Sequence, residues 1–462
     1  MSRRLGKHIS EENLRIALLK KMGIRLVALG ALLACVQTAY GIPAFARKYG
    51  LACSACHEAW PMLNNFGQTF KDKGYQLGNG RDSPIYQEPA YWPVMFRVNP
   101  VWHRESNNRQ AVDLVSGVPS SGQVESTVTT SGFDLGGVDM ITAGTLYNNI
   151  SFFVQPFIGN NSIQLSQAWA RLDNLVGSHW LNLKLGKFEL DEPISQERSL
   201  ILNNTGGLYY NYFFTPLGDN NFFQGIGFTQ LGVELMGHSD DDNTRYSIAM
   251  LSNSNGATNL PSNQAYDVYA NFNRSFEVPR FGRQQVGVYG YLGESPTYYQ
   301  TSNGIPIPGT GTGNRSFYRY GAYGHWFVDK FDFYTFYLHG SDNVFLGNSV
   351  PSTQPQNLPV GAVSPIWNGG FVEAHYNPNP RWIVLGRYEL SRMSRQANPT
   401  IRSDAGNLDS WTVGYRWYPI MSPRAGFAWM QEYSRINSAG AAPLSGKDDA
   451  RNSYLMGFDF DF

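Results

Sequence analysis

From residue 93 to the C-terminus, polar and apolar side chains alternate in stretches of about ten residues that are separated by turns. In the last stretch Phe458, Phe460 and Phe462 share one face, whereas Asp459 and Asp461 occupy the other. A period of two residues predicts β-strands with one apolar and one polar face. Repeated over segments of this length, it is typical of a transmembrane β-barrel with lipid outside and water inside.

The pattern predicts an all-β fold, a 16-stranded antiparallel transmembrane β-barrel over residues 93–462. An even number of strands is usual for a bacterial outer-membrane barrel. The predicted strands span residues 93–104, 130–145, 149–159, 163–175, 180–190, 226–239, 244–254, 263–277, 283–297, 315–328, 330–340, 368–377, 381–394, 408–419, 423–437 and 451–462.

The connections between these strands alternate in length, with 160–162 as the clearest exception. Short turns and long loops at opposite ends are the rule in porins, whereas a soluble sandwich or propeller gives no reason to alternate them. The segment 191–225 is either a constriction folded into the lumen or a surface loop. The long connections are 105–129, 191–225, 298–314, 341–367, 395–407 and 438–450.

Composition removes two classes of protein from consideration. The formal net charge is zero, so no nucleic-acid partner is indicated. Beyond the first 40 residues no apolar run approaches the ~20 residues that a membrane helix needs. A periplasmic enzyme with an all-β domain remains as an alternative to the outer-membrane barrel.

Residues 1–41 have the features of a secretory signal peptide. The apolar core Leu26–Val36 follows basic residues and is too short to span a membrane. Ala39 and Gly41 form a small-x-small cleavage signal, which predicts a mature chain beginning at Ile42.

Two alternatives concern this N-terminal region. A start of translation at Met22 is the first alternative, because the region before the apolar core is unusually long. Cleavage as a lipoprotein at Cys35 is the second alternative, although Leu33 occupies a nearby site where that signal prefers small residues.

The motif Cys53-Ser54-Ala55-Cys56-His57 has the attachment spacing of c-type haem. Two thiols one helical turn apart reach both vinyl groups, and His57 then faces the iron as the proximal ligand. A structural zinc site would need four Cys or His ligands, and the sequence has no second cysteine pair. A thioredoxin-like pair would stand in a βαβ context. The sequence therefore predicts one covalently attached haem c.

The sixth iron ligand is open between two residues of the first predicted strand. His103 and Met95 both lie on its more polar face, and we favour His103 as the metal ligand opposite His57. Met62 follows His57 too closely to reach the other face of a haem. An ordinary pore-lining role explains His103 equally well. Arg97 either neutralises haem propionates or lines the pore.

Around the motif, residues 42–92 are predicted to form a small α-helical cytochrome c module. Pro43 to Tyr49 predicts one short helix. Pro61 to Lys73 carries apolar residues at helical spacing, and Gly74 ends that segment. So few residues cannot bury a macrocycle alone, so the module is expected to lean on the barrel.

The N-terminal stretch resembles the fused monohaem cytochrome c–porin family of the outer membrane, whose best-known members are iron oxidases. The resemblance covers about residues 42–78 and rests on Ile42–Arg47, the haem motif, Leu63–Gly67 and Lys73–Tyr75. It implies a haem bound by Cys53, Cys56 and His57 at the periplasmic end of the barrel or in its lumen. Residues 58–61 depart from the iron-oxidising branch, which leaves the electron donor open.

Two functions follow from these predictions. In the first, the protein is an Fe(II):cytochrome c oxidoreductase that passes electrons from extracellular Fe(II), or another metal, across the outer membrane to a periplasmic c-type cytochrome. In the second, it is a diffusion porin whose haem module acts as a plug or redox gate.

Overall fold

The predicted barrel is confirmed by the computed structural model. Sixteen strands pair antiparallel, each with its neighbours along the chain, and the last strand pairs with the first to close the barrel. The structure describes residues 43–77, 94–147, 149–159, 162–192, 195, 198–201, 229–252, 266–296, 301–302, 305–306, 314–341, 361, 363–396, 399–421 and 425–462. The predicted signal peptide lies outside the described residues.

Each predicted strand corresponds to one barrel strand. The barrel strands are β3 (Val94–Asp113), β4 (Gln123–Tyr147), β5 (Ile150–Gly159), β6 (Ser162–Leu172), β7 (Asn182–Phe188), β8 (Gln230–His238), β9 (Thr244–Leu251), β10 (Asp267–Val278), β11 (Gly282–Pro296), β14 (Asn314–Val328), β15 (Phe331–Ser341), β16 (Ile366–Asn379), β17 (Trp382–Arg395), β18 (Leu408–Met421), β19 (Gly426–Ser438) and β20 (Asp449–Asp461). Two further short strands, β12 (Thr301–Ser302) and β13 (Ile305–Pro306), pair with each other outside the barrel.

The first hairpin is longer than predicted. The expected loop 105–129 is wrong over most of its length, because β3 and β4 stay paired out to Asp113 and Gln123. These extensions are mostly polar and none of their side chains is buried, so no apolar alternation marks them as strand. Backbone pairing alone continues the hairpin beyond the apolar wall.

The two faces of the wall differ in chemistry. Along β10, Val268 and Phe272 point outward and are exposed, whereas Asp267, Asn271 and Asn273 point inward and are buried. Charged inward residues on other strands are similarly buried, among them Glu234, Arg319, Glu373 and Asp459. An apolar exterior around a polar interior is the arrangement of a transmembrane barrel.

Residues 43–77, here called the plug, form three short helices and one hairpin. The elements are α1 (Pro43–Tyr49), α2 (Cys53–Cys56), β1 (His57–Ala59), β2 (Met62–Leu63) and α3 (Asn65–Asp72), with β1 paired antiparallel to β2. Among the described residues, none of the helices has the length and apolar character to cross a membrane.

The third helix begins later than the apolar spacing predicts. It starts at Asn65 and not at Pro61, because the side-chain oxygen of Asn64 accepts a hydrogen bond from the amide of Gly67 at 2.9 Å and caps the helix. Residues 62–63 belong to the hairpin instead. The predicted end is confirmed: Gly74 follows the helix with a left-handed φ of 76°.

The plug lies inside the barrel, at the end of the short connections. Its partners are inward-facing side chains near the ends of strands around the whole wall. The hydroxyl of Tyr418 donates to the carbonyl of Trp60, and the hydroxyl of Thr145 donates to the carbonyl of Gly74. Arg171 donates to the carbonyls of Lys71 and Asp72, and Arg245 pairs with the carboxylate of Asp72.

We expect charge on the outer face to be costly in proportion to depth. Val288, in the middle of β11, is 55% exposed and points outward. Val288→Arg should lower the free energy of unfolding by about 2–4 kcal/mol in a bilayer, the range for a barrel midplane. Phe276→Arg, on the outer face beside a short turn, is the control and should cost about 0–1 kcal/mol. Equal costs in urea unfolding from lipid vesicles would argue against a membrane-embedded belt.

Candidate functional site

The single helical turn α2 brings the two thiols of the motif together. Cys53 and Cys56 are three residues apart, so their side chains lie on the same face of the turn. Neither takes part in a disulfide in the described part of the chain. Burial raises the pKa of the Cys56 thiol to about 11, so this sulfur stays protonated at neutral pH. Cys56 therefore lacks the thiolate character that reactive cysteines show.

The two ring nitrogens of His57 differ in their hydrogen bonding. Its Nδ1 lies 3.1 Å from the carbonyl oxygen of Pro61 and 3.2 Å from that of Met62. Its Nε2 is buried and has no hydrogen-bond partner among the described residues. A carbonyl acceptor at Nδ1 selects the tautomer with a lone pair on Nε2, which is the arrangement of a metal-ligating histidine.

Burial keeps that imidazole neutral. The pKa of His57 is lowered to about 4, chiefly because the ring is removed from water, with a smaller contribution from the nearby charge of Arg198. The hydrogen bonds to Pro61 and Met62 act in the opposite sense. A neutral ring with a free Nε2 can donate its lone pair to a metal at any pH well above 4.

Asn64 and Gly67 fix the motif against α3. The amide of Asn64 donates to the carbonyl of Ala55 at 3.1 Å, while its oxygen caps α3. A Cβ atom built on Gly67 would lie 2.1 Å from the carbonyl oxygen of Cys56. Only glycine allows this close approach, which gives a physical reason for the glycine in the segment Leu63–Gly67.

One large cavity opens onto the motif. It encloses about 1150 Å³ of space not filled by protein atoms, counting its open mouth. Cys53, Cys56 and His57 lie along its wall. The rest of the lining is mostly apolar and aromatic, and it comes from both the plug and the barrel: Phe45, Tyr49, Trp60, Phe70, Tyr75, Met95, Ile141 and Phe153 are among these residues.

Of the predicted sixth ligands, the structure brings only Met95 to this cavity. Met95 is 6% exposed and lines the cavity from β3. His103 pairs with the inward-facing Leu455, eight residues further along the same strand, and does not line it. That separation is about 26 Å at the rise of a strand. Met62 faces away, with its sulfur 3.7 Å from the hydroxyl of Tyr334.

Two arginines lie at the cavity, and each already pairs with a carboxylate. Arg97 makes a two-pronged ion pair with Asp459, at 3.0 and 2.9 Å, and stacks on Trp60. Arg198 also lines the cavity and pairs with Glu189 at 3.2 Å. Arg198 comes from the long connection after β7, whose contribution no local pattern in the sequence indicates.

The described part of that long connection lies in the lumen. The carbonyl of Asp191 accepts hydrogen bonds from Tyr269 and Asn271 of the wall, and the carbonyl of Leu200 accepts from Arg416. Of the two alternatives for 191–225, residues 191–201 thus agree with the folded-in loop wherever the structure describes them. Residues 202–225 lie outside the described residues.

A second, polar cavity lies beside the plug. It is lined by Glu58 of β1 and by wall residues that include His325 and Tyr334. Burial, followed by the nearby charge of Asp332, raises the pKa of Glu58 well above its usual value. Sequence reasoning missed this group, because its members are far apart along the chain and each is an isolated polar residue there.

Comparison with known proteins bears on the barrel only. No protein-family model matches the chain, and no curated protein matches it. The chain is similar to the outer membrane channel DcaP of Acinetobacter baumannii at 9% identity and a TM-score of 0.47, covering 80% of this chain and 97% of that one. It is similar to an anion-selective porin from Comamonas acidovorans at 10% identity and a TM-score of 0.46, covering 80% and 98%. The strand pairing of this chain establishes the barrel, and the comparisons do not indicate what the barrel binds.

A methyl group at Gly67 is expected to loosen the plug. Gly67→Ala must push α3 away from Cys56, at a cost of about 1–3 kcal/mol for overpacking a tight contact. Limited proteolysis of the folded protein should then cleave within residues 43–77 faster than in the wild type. Gln68→Ala, a neighbour on the same helix, is the control, and cleavage at the same rate in both variants would contradict this contact.

Proposed function

We propose that the protein is an outer-membrane cytochrome–porin that carries one covalent haem c and transfers electrons across the outer membrane. Cys53 and Cys56 would hold the haem as thioethers, and Nε2 of His57 would ligate its iron. In one direction of flow the electron source is extracellular Fe(II) and the acceptor is a periplasmic c-type cytochrome.

The single observation that carries the proposal is the buried Nε2 of His57, which has no hydrogen-bond partner among the described residues and belongs to a residue that lines the cavity together with both thiols. A buried polar atom without a partner costs free energy unless a ligand satisfies it. The cavity has the size and the largely apolar lining that cofactor sites require. The donor set therefore fits a c-type haem. Haem bound there would supply one-electron transfer.

The residues of this chain would set the properties of such a site. The carbonyls of Pro61 and Met62 orient His57 and raise its basicity as a ligand. Met95, which lines the cavity, would be the second protein ligand of the iron, whereas His103, the residue favoured from the sequence, is not among the residues that line the cavity. Arg198 pairs with Glu189 through one nitrogen, whereas Arg97 binds Asp459 through two, so Arg198 is the better candidate to face a further carboxylate.

The location supports electron transfer across a membrane. The short connections of bacterial barrels are periplasmic, which supports a periplasmic position for the plug. The hydrocarbon core is about 30 Å thick. A single redox centre can serve partners on both sides only when it lies within the wall, and the position of the plug in the lumen satisfies that condition.

A diffusion porin is the second candidate function. The closed barrel of sixteen strands and the buried polar residues of its inner face favour it. The plug would then act as a gate for solutes. Solute flux through reconstituted liposomes, measured in the wild type and in a variant lacking residues 43–77, tests this reading.

Replacement of the two thiols should abolish covalent haem. We expect the purified wild type to keep its haem after acid–acetone extraction, and the double variant Cys53→Ala, Cys56→Ala to lose it while the barrel still folds. His57→Gly should keep the thioethers but lose the histidine ligand, and added imidazole should restore ligation of the iron. A colourless wild type from a host with a haem-attachment system would refute the proposal.

Ligation by Met95 has a spectroscopic signature. Met95→Leu should remove the long-wavelength charge-transfer band of a Met-ligated ferric haem and lower the reduction potential, since Met/His ligation raises it. His103→Leu, on the same strand, is the matched control and should leave both unchanged. If only His103→Leu altered the spectrum, Met95 would be the wrong ligand.

Electron transfer and solute flux can be separated directly. Stopped-flow addition of Fe(II) to the oxidised protein should reduce the haem rapidly if external iron is the donor. Absence of reduction together with solute flux in liposomes would favour the porin function.

A further inference from the structure

β1 separates the two cavities of the lumen. Successive side chains of a strand point to opposite faces, so Glu58 points away from the side that His57 occupies. His57 lines the mostly apolar cavity, and Glu58 lines the polar one. The polar side therefore carries chemistry that the proposed haem does not use.

Three potential ligands converge on that side. Glu58 of the plug, His325 of β14 and Asp332 of β15 each offer one ligand atom, and these atoms lie within 4.8 Å of one another. Two of them are unsatisfied: Oε2 of Glu58 and Nε2 of His325 are shielded from solvent and have no hydrogen-bond partner in the described part of the chain. The Nε2 atom of His325 stands 3.7 Å from Asp332, too far for a hydrogen bond.

Groups behind the cluster hold it in place. Nδ1 of His375 lies 2.6 Å from the Asp332 carboxylate, and its Nε2 lies 2.7 Å from Glu373, which in turn pairs with Arg387. The ring of His325 stacks on Tyr334 with 3.9 Å between centroids. Carboxylates that bind metals are usually held by hydrogen bonds from such supporting groups.

We propose that Glu58, His325 and Asp332 bind one divalent first-row transition-metal ion. Two carboxylate oxygens close together repel each other, and a divalent cation between them removes that repulsion. One imidazole nitrogen with two carboxylate oxygens suits Mn²⁺, Fe²⁺ or Zn²⁺, because an imidazole ligand disfavours Mg²⁺ and Ca²⁺. Three protein ligands leave a coordination position open to a small ligand.

The ion would join the plug to the barrel. Glu58 belongs to the plug, whereas His325 and Asp332 flank the short turn between β14 and β15. This edge is distinct from the one where Arg171 holds the carbonyls at the end of α3. The inference rests on this cluster alone and is independent of whether haem is attached.

Manganese binding tests the site on the full-length, detergent-purified protein. Titration with Mn²⁺, followed by the loss of the free-ion EPR signal, should show one bound ion per chain in the wild type. Glu58→Gln and His325→Gln should each weaken binding at least tenfold. His375→Gln should weaken it by about 10–100-fold, the range for loss of a supporting group.

The controls separate loss of the site from loss of the fold. His339→Gln replaces a histidine of β15 whose Nδ1 lies 2.8 Å from Oδ1 of Asn368 and which is not part of the cluster, so this variant should bind Mn²⁺ like the wild type. Heat-modifiable migration on gels reports an intact barrel for every variant. No bound Mn²⁺ in the wild type, or equal binding by Glu58→Gln and His325→Gln, would overturn the proposal. Because the count of Mn²⁺ does not depend on colour, its outcome is separate from that of the haem experiment.

Discussion

The organisation of this protein depends on buried arginines of the barrel wall that bind backbone carbonyls of segments folded into the lumen. Arg171 is 1% exposed and donates to the carbonyls of Lys71 and Asp72, at the C-terminal end of α3. Arg416, equally buried, donates to the carbonyl of Leu200. Helix ends leave carbonyls without partners, and a charged donor satisfies them strongly. Removing such an arginine would leave Asp173 or Asp459 with a buried charge less well compensated, which costs several kcal/mol.

The same arrangement explains why so short a segment can be ordered. About thirty residues carry too little apolar surface to support a core of their own. Within the plug, Phe45 and Phe70 pack edge to face at 5.1 Å, and Tyr75 continues the aromatic cluster to Trp169 of the wall at 6.4 Å. The plug and the barrel therefore share one core, and the apolar cavity is formed jointly by both.

Much of the barrel could be predicted from the sequence, because lipid outside and water inside force a period of two on every strand. The sixteen strands were found one for one by that rule. It failed at residues 105–113 and 123–129, where a hairpin with two polar faces has no alternation to detect.

The motif placed Cys53, Cys56 and His57 together, as the structure does. Polarity could not separate His103 from Met95, because both face inward and only depth along the strand distinguishes them; which of the two binds iron stays a prediction. The group of Glu58, His325 and Asp332 depends on where the plug lies in the barrel, which no local signal encodes.

The seam between β3 and β20 has a consequence for how the protein is made. Phe96 and Phe462 exchange backbone hydrogen bonds at this seam, beside the point where the plug leads into the wall. Cys53 is buried within the tube once the seam is closed. A modifying enzyme is far too large to follow it there. An enzyme that modifies Cys53 would therefore have to act before the plug enters the lumen, so the geometry of the tube sets the order of modification and assembly.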